Sequence, residues 1–251
     1  MKKQFVLVAL ATSAIACQTK QETSTTLTSP DSTTVASTTV AEGPGESPDN
    51  FVVIPGRQVG VVRANSTEAG LRELLGAANV VRDTIYMAEG EFDIGTTLFK
   101  NTADQAQIIW KDKKRFARPE IVLLRPEYDE NNELLTGTGG KTVQWTVPIG
   151  TAGSLSLGTS LREVERLNGK PFKLYGFGWD YGGLSSDWQR GKLQDTDGKT
   201  YLSAAFGVGA EFTGSESKMY DSVLGDGEFL SSNAAMQALN PTIKTLTISF
   251  R

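Results

Sequence analysis

One thiol and no imidazole set the chemistry open to this chain. Cys17 is the only cysteine, and the 251 residues include no histidine. Histidine is the commonest general base and metal ligand near neutral pH, so histidine-based nucleophile pairs and histidine-bearing zinc sites are excluded by composition. Carboxylates, lysines and tyrosines remain for acid–base work, oxygen donors for hard cations, and aromatic rings for binding. The densest such cluster is YGFGWDYGG at 175–183, followed closely by Asp187 and Trp188. Trp179, Tyr181 and Trp188 offer apolar faces with polar tips, a composition suited to a protein interface or to stacking on sugar rings. On a strand, Trp179 and Tyr181 would share one face with Asp180 opposite. The competing expectation is a glycine-bent hairpin whose aromatics fill the core.

Asp180 and Asp187 are the carboxylates beside those rings. A glycosidase needs two carboxylates at a defined separation with one pKa raised, and a sequence shows neither condition, so turn and surface-rim roles are expected instead. Three fragments look calcium-like. In Asp195, Asp197 and Gly198 the twelfth loop position is Phe206 instead of glutamate, and Asp129, Asn131 and Glu133 fail in the same way. Asp226 and Gly227 form a turn dipeptide. The glycine-rich run at 135–141 lacks the spacing and the hydroxyl of a phosphate loop. No catalytic residue, metal site or cofactor is therefore expected. The candidate binding residues are Trp179, Tyr181 and Trp188, with Asp180 and Asp187 at their polar rim.

The elements that would place these residues begin with Lys2 and Lys3, an apolar run at 5–11, and Ala14, Ile15 and Ala16 just before Cys17. This order is that of a secretory signal, and the run falls short of the roughly 20 residues a spanning helix needs. The segment resembles a bacterial lipoprotein signal. The resemblance implies that Cys17 starts the mature chain and carries diacylglycerol on sulfur and an acyl chain such as palmitate on its amine. Each buried methylene adds about 0.8 kcal/mol to such an anchor. The implied location is the cell envelope, at the outer membrane. Lys20, Gln21 and Glu22 are similar to the export signal of some outer-membrane lipoproteins, and Asp31, Ser32 and Thr33 to a short O-glycosylation motif. Residues 18–50 are rich in Ser and Thr, include Pro30, Pro44 and Pro48, and have too few large apolar side chains to offset ordering entropy. They read as a disordered tether. The formal net charge is −4 and no basic stripe is present, so nucleic acid is not an expected partner.

Beyond the tether an internal repeat organises the chain into a first module at 51–141 and a second at 142–251. VGVVRANSTEAGLRELLG at 59–76 aligns without gaps on AGSLSLGTSLREVERLNG at 152–169. Each copy reads as a strand end running into a short helix. Ser66 or Thr67, and Thr159 or Ser160, can cap the first turn; Leu71 and Leu74, like Val164 and Leu167, lie on one helical face; Gly76 and Gly169 suit a left-handed stop. Period-two patterning then places strands at 80–87, 97–101, 107–111 and 120–128, and at 143–147, 173–177, 184–188, 201–207 and 244–251. The stretch 215–240 reads as partly helical. The fold class is α+β, two related modules each with short helices on a mostly antiparallel sheet.

The pattern of Gly158, Thr159, Ser160, Val164, Leu167, Gly169 and Pro171, followed by aromatic-rich strands, resembles the small barrel-assembly accessory lipoproteins. It is also similar to the tandem modules of the β-lactamase inhibitory protein family, which present a concave sheet to a partner. The resemblance implies a non-catalytic envelope lipoprotein that binds another macromolecule, protein first. Carbohydrate binding or processing through residues 175–188, or a structural role in the envelope, are the alternatives.

Overall fold

The computed structural model describes residues 47–127, 143–209 and 214–251. Cys17, nearly all of the tether, the fragments at 129–133 and 135–141, and the expected boundary between modules at 141/142 lie outside the described residues. A meander of β1 (Val53–Ile54), β2 (Gln58–Val59) and β3 (Val62–Arg63) leads into helix α1 (Glu68–Leu75). Four strands follow: β4 (Val80–Tyr86), β5 (Phe92–Leu98), β6 (Ala106–Asp112) and β7 (Ala117–Leu124). The second half repeats this order with the hairpin β8 (Val147–Pro148) and β9 (Ser154–Leu155), helix α2 (Leu161–Asn168), then β10 (Lys173–Tyr175), β11 (Ser185–Asp187) and β12 (Leu202–Gly207). Helix α3 (Ser215–Asp221), β13 (Glu228–Leu230) and helix α4 (Ala234–Leu239) precede the last strand, β14 (Thr242–Ser249). The architecture is α+β with antiparallel ladders throughout the named strands.

Both repeat helices start on their hydroxyl residues. Thr67 Oγ1 accepts the Gly70 N–H at 3.1 Å, and the Ser160 hydroxyl accepts the Glu163 N–H at 3.4 Å, each filling one of the donors a first turn leaves free. Gly169 ends α2 in the left-handed region, at φ 81° and ψ 3°. Gly76 departs from that expectation. Its φ of 84° is paired with ψ 148°, and the chain passes through it into a 3-10 turn at Ala77–Asn79 instead of a left-handed cap. Leu71, Val164 and Leu167 are buried, whereas Leu74 lies half-buried at the margin of the core.

A six-stranded sheet in the order β12-β14-β7-β6-β5-β4 draws strands from both halves, so the described residues of the two halves share one hydrophobic core. The repeat is nevertheless visible in its register. Ala106 faces Leu124, Ile108 faces Val122 and Trp110 faces Pro119; Leu202 faces Ile248, Ala204 faces Leu246 and Phe206 faces Ile243. Each ladder slips by one residue at the corresponding step, after Ile109 and after Ala205. The helix starts dock alike too. Glu68 N–H reaches Phe116 O and Arg118 N–H reaches Ser66 O at 2.8 and 2.9 Å, while Leu161 N–H reaches Pro241 O and Ile243 N–H reaches Thr159 O at 2.8 and 3.0 Å. Where β7 meets β14, Leu124 pairs with Leu246, Val122 with Ile248, and Leu123 with Thr247. Those pairs are the ones a local twofold axis through Leu123 and Thr247 would generate. Beyond β12, Leu184 bridges to Ala205 and continues the order to the small sheet β11-β10-β13.

One sheet face supplies Leu98, Ile108, Trp110, Val122, Leu124, Leu246, Ile248 and Phe206 to a core shared with the helices. The other face alternates with it and carries Ile121, Leu123, Ser203, Ala205, Thr245 and Thr247, all half-buried. The halves differ at the helix start. Leu161 is fully buried, while its counterpart Glu68 is a buried carboxylate that accepts two hydrogen bonds from Arg82, at 2.8 and 3.3 Å, and one from the Thr96 hydroxyl at 2.8 Å. Thr96 Oγ1 in turn accepts the Trp110 indole N–H at 2.9 Å. This chain ties α1 to β4, β5 and β6.

Two outcomes follow from this packing. Leu167→Ala should lower unfolding free energy by about 2–5 kcal/mol in a denaturant titration, because its side chain is fully enclosed. Burial works against ionisation of Glu68, but the bonds from Arg82 and Thr96 and the charges of Arg82 and Arg72 prevail and hold its pKa below the ordinary 4.5. A depressed folded pKa means the stabilisation is complete above about pH 4.5 and fades as pH falls through the folded value. Glu68→Gln should therefore lose stability at pH 7 and show a shallower loss between neutral and acid pH than the native chain.

Candidate functional site

The aromatic segment sits between β10 and β11, where glycine permits approaches that a side chain would block. A Cβ on Gly176 would lie 2.5 Å from Gly225 O and 2.7 Å from Val223 O, and one on Gly183 would lie 2.1 Å from Phe206 O. These approaches are used. Gly176 N–H donates to Gly227 O, Phe177 N–H to Val223 O, and Phe206 N–H to Gly183 O, all at 2.8–2.9 Å. The loop is thus held on both flanks, and it turns where a strand was expected. Gly182 N–H bonds Trp179 O at 2.9 Å and Leu184 N–H bonds Tyr181 O at 3.1 Å, so residues 179–184 run through successive turns and strand alternation does not govern Trp179, Asp180 and Tyr181.

The three candidate aromatics part company. Trp188 is 1% exposed, packs on Phe172 at a ring separation of 4.9 Å, and donates its indole N–H to Leu202 O at 2.7 Å. It belongs to the core, which corrects its expected place on a binding surface. Trp179 and Tyr181 are each 37% exposed and meet edge to face at 5.3 Å and 61°. Trp179 is fixed from below by Tyr175, 5.6 Å away at 82°, and by its indole N–H to Gly176 O at 3.0 Å. Phe177 turns inward and stacks on Tyr220.

The carboxylates also differ. Asp187 serves its own turn, accepting the Gln189 N–H at 2.7 Å and the Gln189 side-chain amide at 2.6 Å. Asp180 reaches across the molecule. Its Oδ2 accepts the Glu89 N–H at 2.7 Å, in the 3-10 turn Ala88–Gly90 between β4 and β5. The hairpin tip of the first half is thereby joined to the aromatic loop of the second. That tip presents Tyr86, Phe92 and Ile94, exposed by 64, 60 and 46%. Arg125, at the end of β7, donates to Tyr86 O at 3.2 Å and to the Gln107 side chain, so the hairpin leans over the sheet face opposite the helices. Burial lowers the pKa of Arg125, and the nearby Glu127 opposes that shift.

Tyr86, Phe92 and Ile94 were not among the sequence candidates. The available signal was a pair of aromatics flanking a short acidic turn, Tyr86 and Phe92 about Glu89 and Glu91. The calcium-like Asp195–Gly198 fragment is a turn, with Gly198 N–H on Asp195 O at 3.0 Å. Arg251 binds the Asp195 carboxylate and lowers its pKa; the Lys199 N–H and the Tyr201 hydroxyl occupy Asp197. Among the described residues no group of three or more acidic, cysteine or histidine side chains is placed to hold a metal, and no helix is long and apolar enough to cross a membrane. Comparison of the chain with protein-family models, with curated proteins and with solved structures finds no match.

The contrast between the two tryptophans is measurable. Trp188→Ala should cost about 3–5 kcal/mol of stability, as removal of a fully enclosed ring with a buried hydrogen bond does. Tyr181→Ala should cost well under half of that in the same denaturant titration.

Proposed function

We propose that this chain is a non-catalytic envelope lipoprotein that binds another protein through the joined tips of its two halves. The observation that carries the reading is the linked aromatic surface: Trp179 and Tyr181 on one loop, Tyr86, Phe92 and Ile94 on the other, clasped by Asp180 and the Glu89 N–H. Exposed apolar side chains that cluster, instead of scattering singly, mark interaction sites, and Trp and Tyr at the centre of such patches dominate binding energy. The two rings of the second half meet at 61°, and the patch extends onto a separate hairpin. An uneven, extended surface of this kind suits a protein better than the flat platform on which a sugar ring stacks.

The tandem arrangement supports the resemblance to the β-lactamase inhibitory protein family. Each half runs from short paired strands through one helix to longer strands, of which β4–β7, β12 and β14 join a common sheet, and the leaning β4–β5 hairpin borders the sheet face away from the helices. In this reading Cys17 is acylated and holds the protein at the outer membrane, and residues 18–50 tether the folded part at a reach that grows as roughly 5–6 Å times the square root of residue number.

Two measurements test the proposal. Labelled palmitate should enter the native chain and not a Cys17→Ser variant; an unlabelled native chain would remove the anchor. Full-length Cys17→Ser protein should retain a saturable partner from envelope extract, and Trp179→Ala or Tyr181→Ala should weaken that purified pair by about 2 kcal/mol or more with the unfolding midpoint little changed. Saturable binding of an oligosaccharide, abolished by Trp179→Ala, would instead assign the surface to carbohydrate.

A further inference from the structure

Away from the aromatic tips, a groove of about 560 Å³ opens between three turns, a volume within the range of small-molecule sites. Its floor is formed by Val147, Leu193 and Leu202, which are buried, and its walls by Ile54, Pro148 and Ile149. Ile54 is 40% exposed and offers its apolar side chain to the groove. The walls are held by backbone. Pro55 and Gly56 close the β1–β2 turn, with Arg57 N–H on Ile54 O at 2.9 Å and Gly56 at φ 78°, and that turn is bonded to β14 by Gly56 N–H to Ser249 O at 3.1 Å. Ile149 N–H bonds Gly153 O at 2.8 Å. On the third side the buried Asn168 carboxamide accepts the Leu193 N–H at 3.1 Å while Asn168 O accepts the Lys192 N–H at 2.9 Å.

The charges around this apolar groove are not balanced within the protein. Asp195 is neutralised by Arg251, whose guanidinium also lies 5.3 Å from the Tyr201 ring. Arg57 and Lys192, by contrast, line the groove with no hydrogen-bond or ion-pair partner for either side-chain cation among the described residues. Both are exposed and stand on backbone that is fixed. An apolar trough lined by Arg57 and by Lys192, whose side chain passes along Gly169 at the end of α2, has the complementarity of a molecule with an anionic head and a hydrocarbon body. We infer that this groove binds a single-chain anionic amphiphile, its chain against Ile54, Pro148 and Ile149 and its carboxylate or phosphate head at Arg57 and Lys192. An ammonium head would meet like charge at the same place, and a headless alcohol would forgo both ion pairs.

The test uses full-length Cys17→Ser protein, so that no attached acyl chain competes, and isothermal titration with each probe below its micelle concentration. Decanoate and decyl phosphate should bind at one per chain, at least tenfold tighter than decyltrimethylammonium or decanol, and inorganic phosphate alone should not saturate the site. The tighter of the two anions identifies the head group. Arg57→Gln combined with Lys192→Gln should weaken the anions at least tenfold, leave decanol unchanged, and keep the thermal midpoint of the native chain. Ile149→Asp should abolish binding of the anions and decanol alike. Equal affinity for the cationic amphiphile, undiminished affinity in the double variant, or no binding of either anion would overturn the assignment.

Discussion

The pairing of β7 with β14 is the constraint from which the described structure hangs. Four residue pairs, Leu124 with Leu246 through Ile121 with Ser249, join two halves that otherwise have their own helix, their own bulged ladder and their own capped start. Antiparallel pairing about Leu123 and Thr247 places Val122, Leu124, Leu246 and Ile248 on the same side, where each half contributes to the enclosure of the other's helix. A sheet of four strands with a single eight-residue helix would leave its inner edge open. Joining the two removes that edge from both at once.

Within this symmetric frame the halves have diverged in the chemistry at corresponding places. The helix start that is a plain hydrocarbon contact at Leu161 is a hydrogen-bonded carboxylate network at Glu68, Arg82, Thr96 and Trp110. The network confers a preferred partner geometry on the first half, since a buried carboxylate is tolerated only where all its neighbours are in place. The outer strands diverge further. β4 and β5 form a ladder of seven residue pairs that leans inward, whereas β10 and β11 are three residues each and give way to the turns that carry Trp179 and Tyr181. The matching parts of the two halves form the centre, and the functional candidates lie on the parts that do not match.

Local signals in the sequence announced the local structure. Thr67 and Ser160 before apolar residues spaced three apart, with glycine at 76 and 169, were sufficient to place both helices because capping and periodicity act over a few residues. Alternation at 244–250 likewise placed Leu246, Ile248 and Phe250 on one buried face. What distant parts of the chain do to one another was hidden. No property of residues 121–124 alone says that 246–249 will lie beside them. Trp188 looked like Trp179 until Leu202 O supplied its indole with a buried acceptor, and the turns at 179–184 follow from glycine contacts with Gly225 and Phe206 that no window of the sequence includes. The partnership of Asp180 with Glu89, across 91 positions, is of the same kind.

The position of β14 in the sheet has a bearing on how the fold is reached in time. This strand follows every other described strand in sequence, yet it lies between β12 and β7, inside the sheet. Its ladder with β7 spans more than a hundred residues, so loop-closure entropy must be met before that contact stabilises anything, and such distant pairings make for slow acquisition of structure. Until residues 242–249 arrive, β7 and β12 each expose a bare edge and an uncovered apolar row. The β4–β7 meander can close on contacts between neighbouring strands, so the late event is the docking of residues 242–249, which joins the two halves into one sheet.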